Sequence, residues 1–217
     1  EACEYLKFPV VSGNVSFYNQ TKDVGIKPTP SIGGVGLIKD YKNMITMDLK
    51  KVGNLVFVIG KTEGHIDQSL FARNILDEKN GPPPEVNLFN EKNNGESLLS
   101  LIDKGFIKSA HDISLGGLLT ALSKMCISGN KGIKLKKSKN LIHEIEYFFA
   151  EDQGRYIVEI NPDKINEVSK ILDKNSVHYE ELGIIVEKDM IINEKTKVTI
   201  DELKTSNTSW LIKHMSK

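Results

Sequence analysis

The sequence predicts an α+β (α/β layered) fold, a mixed sheet with covering helices, preceded by the end of a second and different domain. Three observations predict it. From residue 55 onward, apolar runs of strand length alternate with stretches of helical periodicity. Glycine and proline sit at the joints between them, as expected where helices and strands alternate in layers. A break near Leu49 to Gly53 separates this regular part from a polar, glycine- and proline-rich N-terminal stretch. With 217 residues and 39% apolar composition, the chain is long enough to bury a substantial core.

In chain order, Glu1 to Leu6 reads as the last turns of a helix whose start lies upstream, and residue 1 is Glu rather than Met, so a truncated or processed fragment is expected. Pro9 to Tyr18 alternates small, polar and apolar residues like a strand carrying a polar insertion, Ser12 to Asn14. Gln20 to Ser31, with Pro28 and Pro30, is a loop, because proline removes backbone donors and disfavours helix. The extended pattern resumes over Gly33 to Ile38. Residues 1–50 are therefore assigned to one incomplete domain and 51–217 to the main one. In the main domain, helices are expected at roughly 66–76, 87–104, 115–127, 141–147, 163–174 and 200–214. Strands are expected at roughly 55–60, 107–111, 131–136, 155–160, 178–186 and 189–193. Gly81-Pro82-Pro83-Pro84 is a stiff surface turn.

Composition excludes several function classes. Lys plus Arg and Asp plus Glu both total 29, which leaves no basic excess to neutralise a nucleic-acid backbone. The two cysteines, Cys3 and Cys126, show neither metal-ligand spacing nor a disulfide framework, which fits a reducing, cytoplasmic setting. The longest apolar runs fall far short of the ~20 residues of a membrane span, and no signal peptide opens the chain, so no membrane partner is expected. His65, His143, His178 and His214 have no metal-ligand spacing, and no nucleophilic triad can be assembled.

Three stretches carry chemistry. Pro9 to Asn19 places Gly13, Asn14 and the hydroxyls of Ser12 and Ser16 between apolar residues. Gly13 lets backbone approach a nucleotide closely, Asn14 offers a hard carbonyl oxygen suited to Mg²⁺, and Ser16 can donate to a phosphate or substrate oxygen. A strand with a glycine bulge and satisfied polar side chains is the alternative. His111-Asp112-Ile113-Ser114-Leu115-Gly116-Gly117 joins a strand to a helix, where donors at a helix start favour an anion; alternatively, Asp112 or Ser114 simply caps the helix. His111 is read as making a structural hydrogen bond. In Glu151-Asp152-Gln153-Gly154-Arg155, the arginine can fork onto a phosphate or onto a carboxylate such as Glu151.

The first stretch, with Lys27-Pro28-Thr29-Pro30-Ser31-Ile32-Gly33-Gly34-Val35-Gly36 downstream, resembles the corresponding segment of the phosphoribosylformylglycinamidine synthase family, the large PurL-type subunit. His111 to Gly117 resembles the His-Asp-x-Ser-x-Gly-Gly signature of the aminoimidazole ribonucleotide synthase superfamily, which contains several ATP-using enzymes. The likeness covers essentially the whole chain. It implies a C-terminal aminoimidazole ribonucleotide synthase-like domain, preceded by the end of a ferredoxin-like N-type domain. It also implies that Gly13 contacts ATP, Asn14 binds Mg²⁺ and Ser16 contacts formylglycinamide ribonucleotide, and that Glu151 to Arg155 serves a structural or auxiliary purpose. The implied reaction converts formylglycinamide ribonucleotide, ATP and glutamine-derived ammonia to formylglycinamidine ribonucleotide, ADP and phosphate. The implied partners are the upstream half of the same chain, a separate glutamine amidotransferase subunit and a small bridging subunit. The family's catalytic histidine falls on no residue here, so the fragment alone is expected to be inactive. The alternatives are another ATP-using member of the superfamily and a noncatalytic assembly or ligand-binding module.

Overall fold

A strand is stable only when its backbone N–H and C=O groups find a neighbour, and this requirement separates the two parts of the chain. The computed structural model describes residues 1–15, 18–26, 29–138, 142–193 and 195–216. Its contacts divide into two units, Glu1–Met44 and Ile45–Lys217. The first unit holds a short helix, α1 (Ala2–Tyr5), and a two-rung antiparallel hairpin of β1 (Gln20–Thr21) and β2 (Val24–Gly25). A 3₁₀ turn over Tyr41–Asn43 follows, with the Asp40 side chain accepting from Lys42 N. Every described residue of Glu1–Met44 is exposed.

Two expectations fail in this unit. The described residues of 9–18 and 33–38 form no strand, and the hairpin lies inside the segment expected to be loop. Val11, Val35 and Leu37 are each more than 90% exposed. These sequences have extended propensity, but among the described residues no partner strand receives their backbone groups.

The second unit supplies those partners. Its sheet contains β3 (Leu55–Ile59), β4 (Ile107–Asp112), β5 (Gly132–Leu135), β6 (Tyr156–Ile160), β7 (Tyr179–Val186), β8 (Met190–Ile192) and β9 (Thr196–Val198). The spatial order is β4-β6-β3-β7-β5-β8-β9. Every neighbouring pair is antiparallel except β5 and β8, so the sheet is mixed. The helices are α2 (Leu70–Asn74), α3 (Leu88–Asp103), α4 (Gly117–Gly129), α5 (Glu144–Phe149), α6 (Ile165–Lys174) and α7 (Ile200–Met215).

Alternation along β3 sends side chains to two cores. Val56 and Val58 join Leu118, Leu122 and Met125 of α4 and Tyr147 and Phe148 of α5 in one. Phe57 and Ile59 join Leu98 and Leu101 of α3 and Val168 and Leu172 of α6 in the other. Each such buried side chain contributes roughly 1.5–3 kcal/mol. Helices on both faces of a mixed sheet are the layered α+β arrangement the sequence predicts. The expected helix at 66–76 is shorter, because Gln68 has φ +60 and Ser69 caps Leu70–Asn74 by accepting from Ala72 N. β9 is an additional strand: two of its three residues are exposed and it carries no apolar alternation.

Candidate functional site

Gly13 and Asn14 are exposed and lie outside regular structure in the first unit. A Cβ at Gly13 would meet nothing within 4 Å, and Gly13 does not need the left-handed conformation, so no local steric demand explains the glycine. Ser16 lies outside the described residues.

In the second unit, the two remaining motifs are one construction. The start of β6 lies against the end of β4, and Ile113 N donates to Arg155 O at 2.9 Å. Arg155 is 1% exposed. Its Nη1 donates to Thr62 Oγ1 at 3.1 Å and its Nη2 to Ala150 O at 2.7 Å. Nη2 also lies 3.6 Å from Asp152 Oδ2. The guanidinium is thus held inside the protein by groups of the chain, and its fork does not fall on Glu151. Burial lowers its pKa, a shift opposed by the Asp152 carboxylate and by Tyr147. Asp152 in turn accepts from the backbone N–H groups of Glu63 (3.0 Å), Gly64 (3.2 Å) and His65 (3.0 Å), which fold the loop after β3 around it.

Glu151 does comparable work one residue earlier. Its Oε1 accepts from Leu70 N and Gly116 N, both at 2.8 Å, and so ties the starts of α2 and α4 together. A carboxylate of the chain itself thus sits at the start of α4, and neither Asp112 nor Ser114 is the cap. The two glycines allow this closeness. Gly117 has φ +69, and a Cβ there would stand 2.8 Å from Phe148 O and 2.7 Å from the carbonyl carbon of Phe149.

Asp112 points the other way. His111 Nδ1 lies 2.9 Å from its Oδ1, while the carboxyl side chain stays 60% exposed. Burial pushes its pKa up, but hydrogen bonds with Ser114 and His111 outweigh that and hold the carboxyl below its ordinary value. The hydrogen bond expected of His111 is thus present. Its Nε2 is buried without a hydrogen-bond partner among the described residues.

Beside this construction opens a polar cavity of about 600 Å³, whose walls include Lys61, His65, Asn90, Glu91, Gln153 and His178. Its floor is fixed by α3, where Asn94 Nδ2 donates to Gly154 O at 2.9 Å and Glu91 accepts from Gly154 N–H. Burial raises the Glu91 pKa against that hydrogen bond. Neither Glu91 nor Asn94 is assigned a role by the sequence, since their i, i+3 spacing is informative only once the phase of the helix is known. His65 Nε2 contacts Pro82 O at 3.0 Å, which anchors the proline-rich turn. Among the described residues, no group of three or more His, Cys, Asp or Glu is arranged to hold a metal.

The family model described as "AIR synthase related protein, C-terminal domain" matches residues 51–193. Over 215 residues, the chain is 69% identical to the phosphoribosylformylglycinamidine synthase subunit PurL of Pelagibacter ubique, covering 99% of this chain and 30% of that protein. It is 41% identical over 215 residues to the PurL subunit of Bartonella henselae, covering 99% of this chain and 29% of that one. The chain thus spans about 30% of the length of these curated relatives. Among solved structures, Thermotoga maritima PurL complexed with FGAR aligns with a TM-score of 0.62 at 19% identity, over 75% of this chain and 29% of that one. Escherichia coli HypE, a hydrogenase maturation protein, aligns with a TM-score of 0.53 at 14% identity, over 72% of this chain and 51% of that one. At these identities the structural likeness concerns the fold alone.

Proposed function

The chain belongs to the family of AIR synthase related proteins that share this C-terminal domain, and from that premise we propose that it is the C-terminal part of a phosphoribosylformylglycinamidine synthase of the PurL type. The carrying observation is the 69% identity to a PurL subunit along 99% of the chain. The whole enzyme is an ATP-dependent amide-nitrogen ligase of purine synthesis. It transfers the γ-phosphoryl group of ATP to the formamide oxygen of formylglycinamide ribonucleotide; ammonia then attacks that carbon and phosphate leaves with the oxygen. The products are formylglycinamidine ribonucleotide, ADP and phosphate. One solved relative, Thermotoga maritima PurL, is described in one structure as complexed with ATP and in another with FGAR, which supports these substrates.

Residues 1–50 are proposed as the end of a ferredoxin-like domain. Its first 44 residues expose Val10, Val11, Val15, Val35 and Leu37, as expected of extended segments whose partner strands lie elsewhere in a longer polypeptide. Within it, Gly13 is assigned to ATP, Asn14 to Mg²⁺ and Ser16 to the ribonucleotide. The exposed Asn14 amide presents one hard oxygen, which suits Mg²⁺ but completes no site, so the other ligands belong to the remaining two-thirds of the polypeptide. Bound Mg²⁺ supplies charge neutralisation at the phosphates. The proposed setting is the cytoplasm. Ammonia comes from a separate glutamine amidotransferase subunit joined through a small bridging subunit, an arrangement supported by the relative described as PurLQS from Thermotoga maritima.

The test is ammonia-dependent ADP release with formylglycinamide ribonucleotide as substrate, measured for the complete polypeptide and for this 217-residue segment side by side. Turnover by the complete polypeptide and none by the segment is expected. Turnover by neither would overturn the assignment, and turnover by the segment would overturn the placement of catalysis in the rest of the chain.

A further inference from the structure

Among the described residues, Glu159 is the most deeply buried carboxylate. It lies on β6, is 0% exposed, and pairs with Val56 of β3 on one side and Ser109 of β4 on the other. Among the described residues no cation lies within ion-pair distance of it; four neutral donors surround it instead. Its Oε2 accepts from Lys50 N at 2.7 Å and Ser109 Oγ at 3.1 Å. Its Oε1 accepts from Asn54 Nδ2 at 2.7 Å and Lys51 N at 3.1 Å. Two consecutive backbone N–H groups aimed at one carboxylate form an anion-binding concavity, here filled from within.

Three of these donors belong to one segment, residues 45–54, which leads from the first unit into β3. The rest of the segment is fastened too. Ala110 N donates to Thr46 O at 3.3 Å, and Gly53 N donates to Ile185 O at 3.0 Å. Leu49 is 1% exposed, and a Cβ on Gly129 of α4 would stand 2.4 Å from Leu49 O. The Lys50 ammonium turns outward, 2.6 Å from both Asp48 Oδ2 and Thr46 Oγ1, so the attraction to Glu159 comes from the backbone of Lys50 and not from its charge.

We propose that residues 45–54 are a strap and that Glu159 is its latch, a positioning residue that holds the lead into β3 against the sheet. A buried carboxylate left without donors is costly, so the latch holds the strap and the strap satisfies the latch; neither is stable in place alone. The inference rests on the geometry of the second unit and stands apart from the reaction assigned above.

The test is hydrogen exchange followed by mass spectrometry on the complete polypeptide. In the unmodified protein, the amides of Lys50 and Lys51, which have no backbone acceptor, are expected to exchange as slowly as those of β6; exchange at open-loop rates would overturn the proposal. This arm needs no variant and so does not depend on a variant folding. In Glu159→Gln the volume is kept, but an NH₂ group then faces two donors. Exchange across 45–54 is expected to rise at least tenfold while Phe57, Val58 and Ile157 remain protected. Unchanged exchange across 45–54, or an equal rise throughout the second unit, would overturn the latch. A complete polypeptide with no synthase activity but with slow Lys50 and Lys51 exchange would sink the assigned reaction and leave the latch standing.

Discussion

Arg155, Cys126 and Asn14 show how differently single residues can be used. Arg155 holds Ala150, Asp152 and Thr62 together from a fully buried position. Replacing it by methionine keeps much of the volume but removes the donors to Ala150 O, Asp152 O and Thr62 Oγ1 and the cation beside the Asp152 carboxylate, and breaking a buried pair from one side typically costs about 3–5 kcal/mol. Arg155→Met is therefore expected to lower the urea midpoint by most of the protein's margin; a shift equivalent to under about 1 kcal/mol would show the ion pair to be dispensable. Cys126 is packed in α4, and burial pushes its thiol up to about 12. At pH 8 it stays protonated, so iodoacetamide is expected to label exposed Cys3 alone in the native protein and both cysteines in denaturant. Mass spectrometry reads the adducts, and rapid native labelling of Cys126 would contradict its burial. Asn14 is exposed and bears no structural load that packing can see. Asn14→Ala in the complete enzyme is expected to lower Mg²⁺-dependent ATP turnover by at least tenfold with under about 0.5 kcal/mol lost in stability; unchanged turnover would sink its assignment to the metal.

At the scale of elements, α7 shows local chemistry acting almost alone. Thr199 and Glu202 form a capping box, with Glu202 N donating to Thr199 Oγ1 at 3.1 Å and Thr199 N donating to Glu202 Oε2 at 2.8 Å. Only Ile200 is buried in this helix, and Trp210, Leu211 and Ile212 are exposed. Thr199→Ala is expected to cost about 1 kcal/mol, seen as faster amide exchange in the first turn of α7 with β3 and β6 unchanged. Most regular elements of the second unit were legible in the sequence because strands such as Leu55–Ile59 and Tyr156–Ile160 carry apolar runs and helices such as Ile165–Lys174 a periodic stripe. β9 was not, because a three-residue edge strand held by β8 needs no apolar pattern of its own. The staple around Glu151 and Asp152 was not legible either. Its donors are the backbone N–H groups of residues 63–65, 70 and 116, and any residue but proline carries that group. The assignment of Gly13, Asn14 and Ser16 rests on resemblance alone, since spacing fits a polar bulge as well as a ligand site.

Over the whole molecule, burial is distributed unevenly. The second unit contains both cores, whereas every described residue of Glu1–Met44 is exposed. Limited proteolysis of the segment is expected to cut within residues 1–44 first and to leave a resistant fragment beginning near Ile45. The complete polypeptide, with partner strands for those residues, is expected to resist cleavage there; equal sensitivity in both would argue against a shared domain. The order of the sheet has a further consequence, for synthesis. β3 is central, yet Leu55 pairs with Ile160 and Ile184, both more than 100 residues later in the chain. At ribosomal rates of about 5–20 residues per second, the run Leu55–Ile59 waits on the order of 5–20 s for its first neighbour. During that interval an apolar strand with two open edges is presented to solvent, so the yield of this protein in a cell depends on whatever shields a nascent chain until β6 emerges.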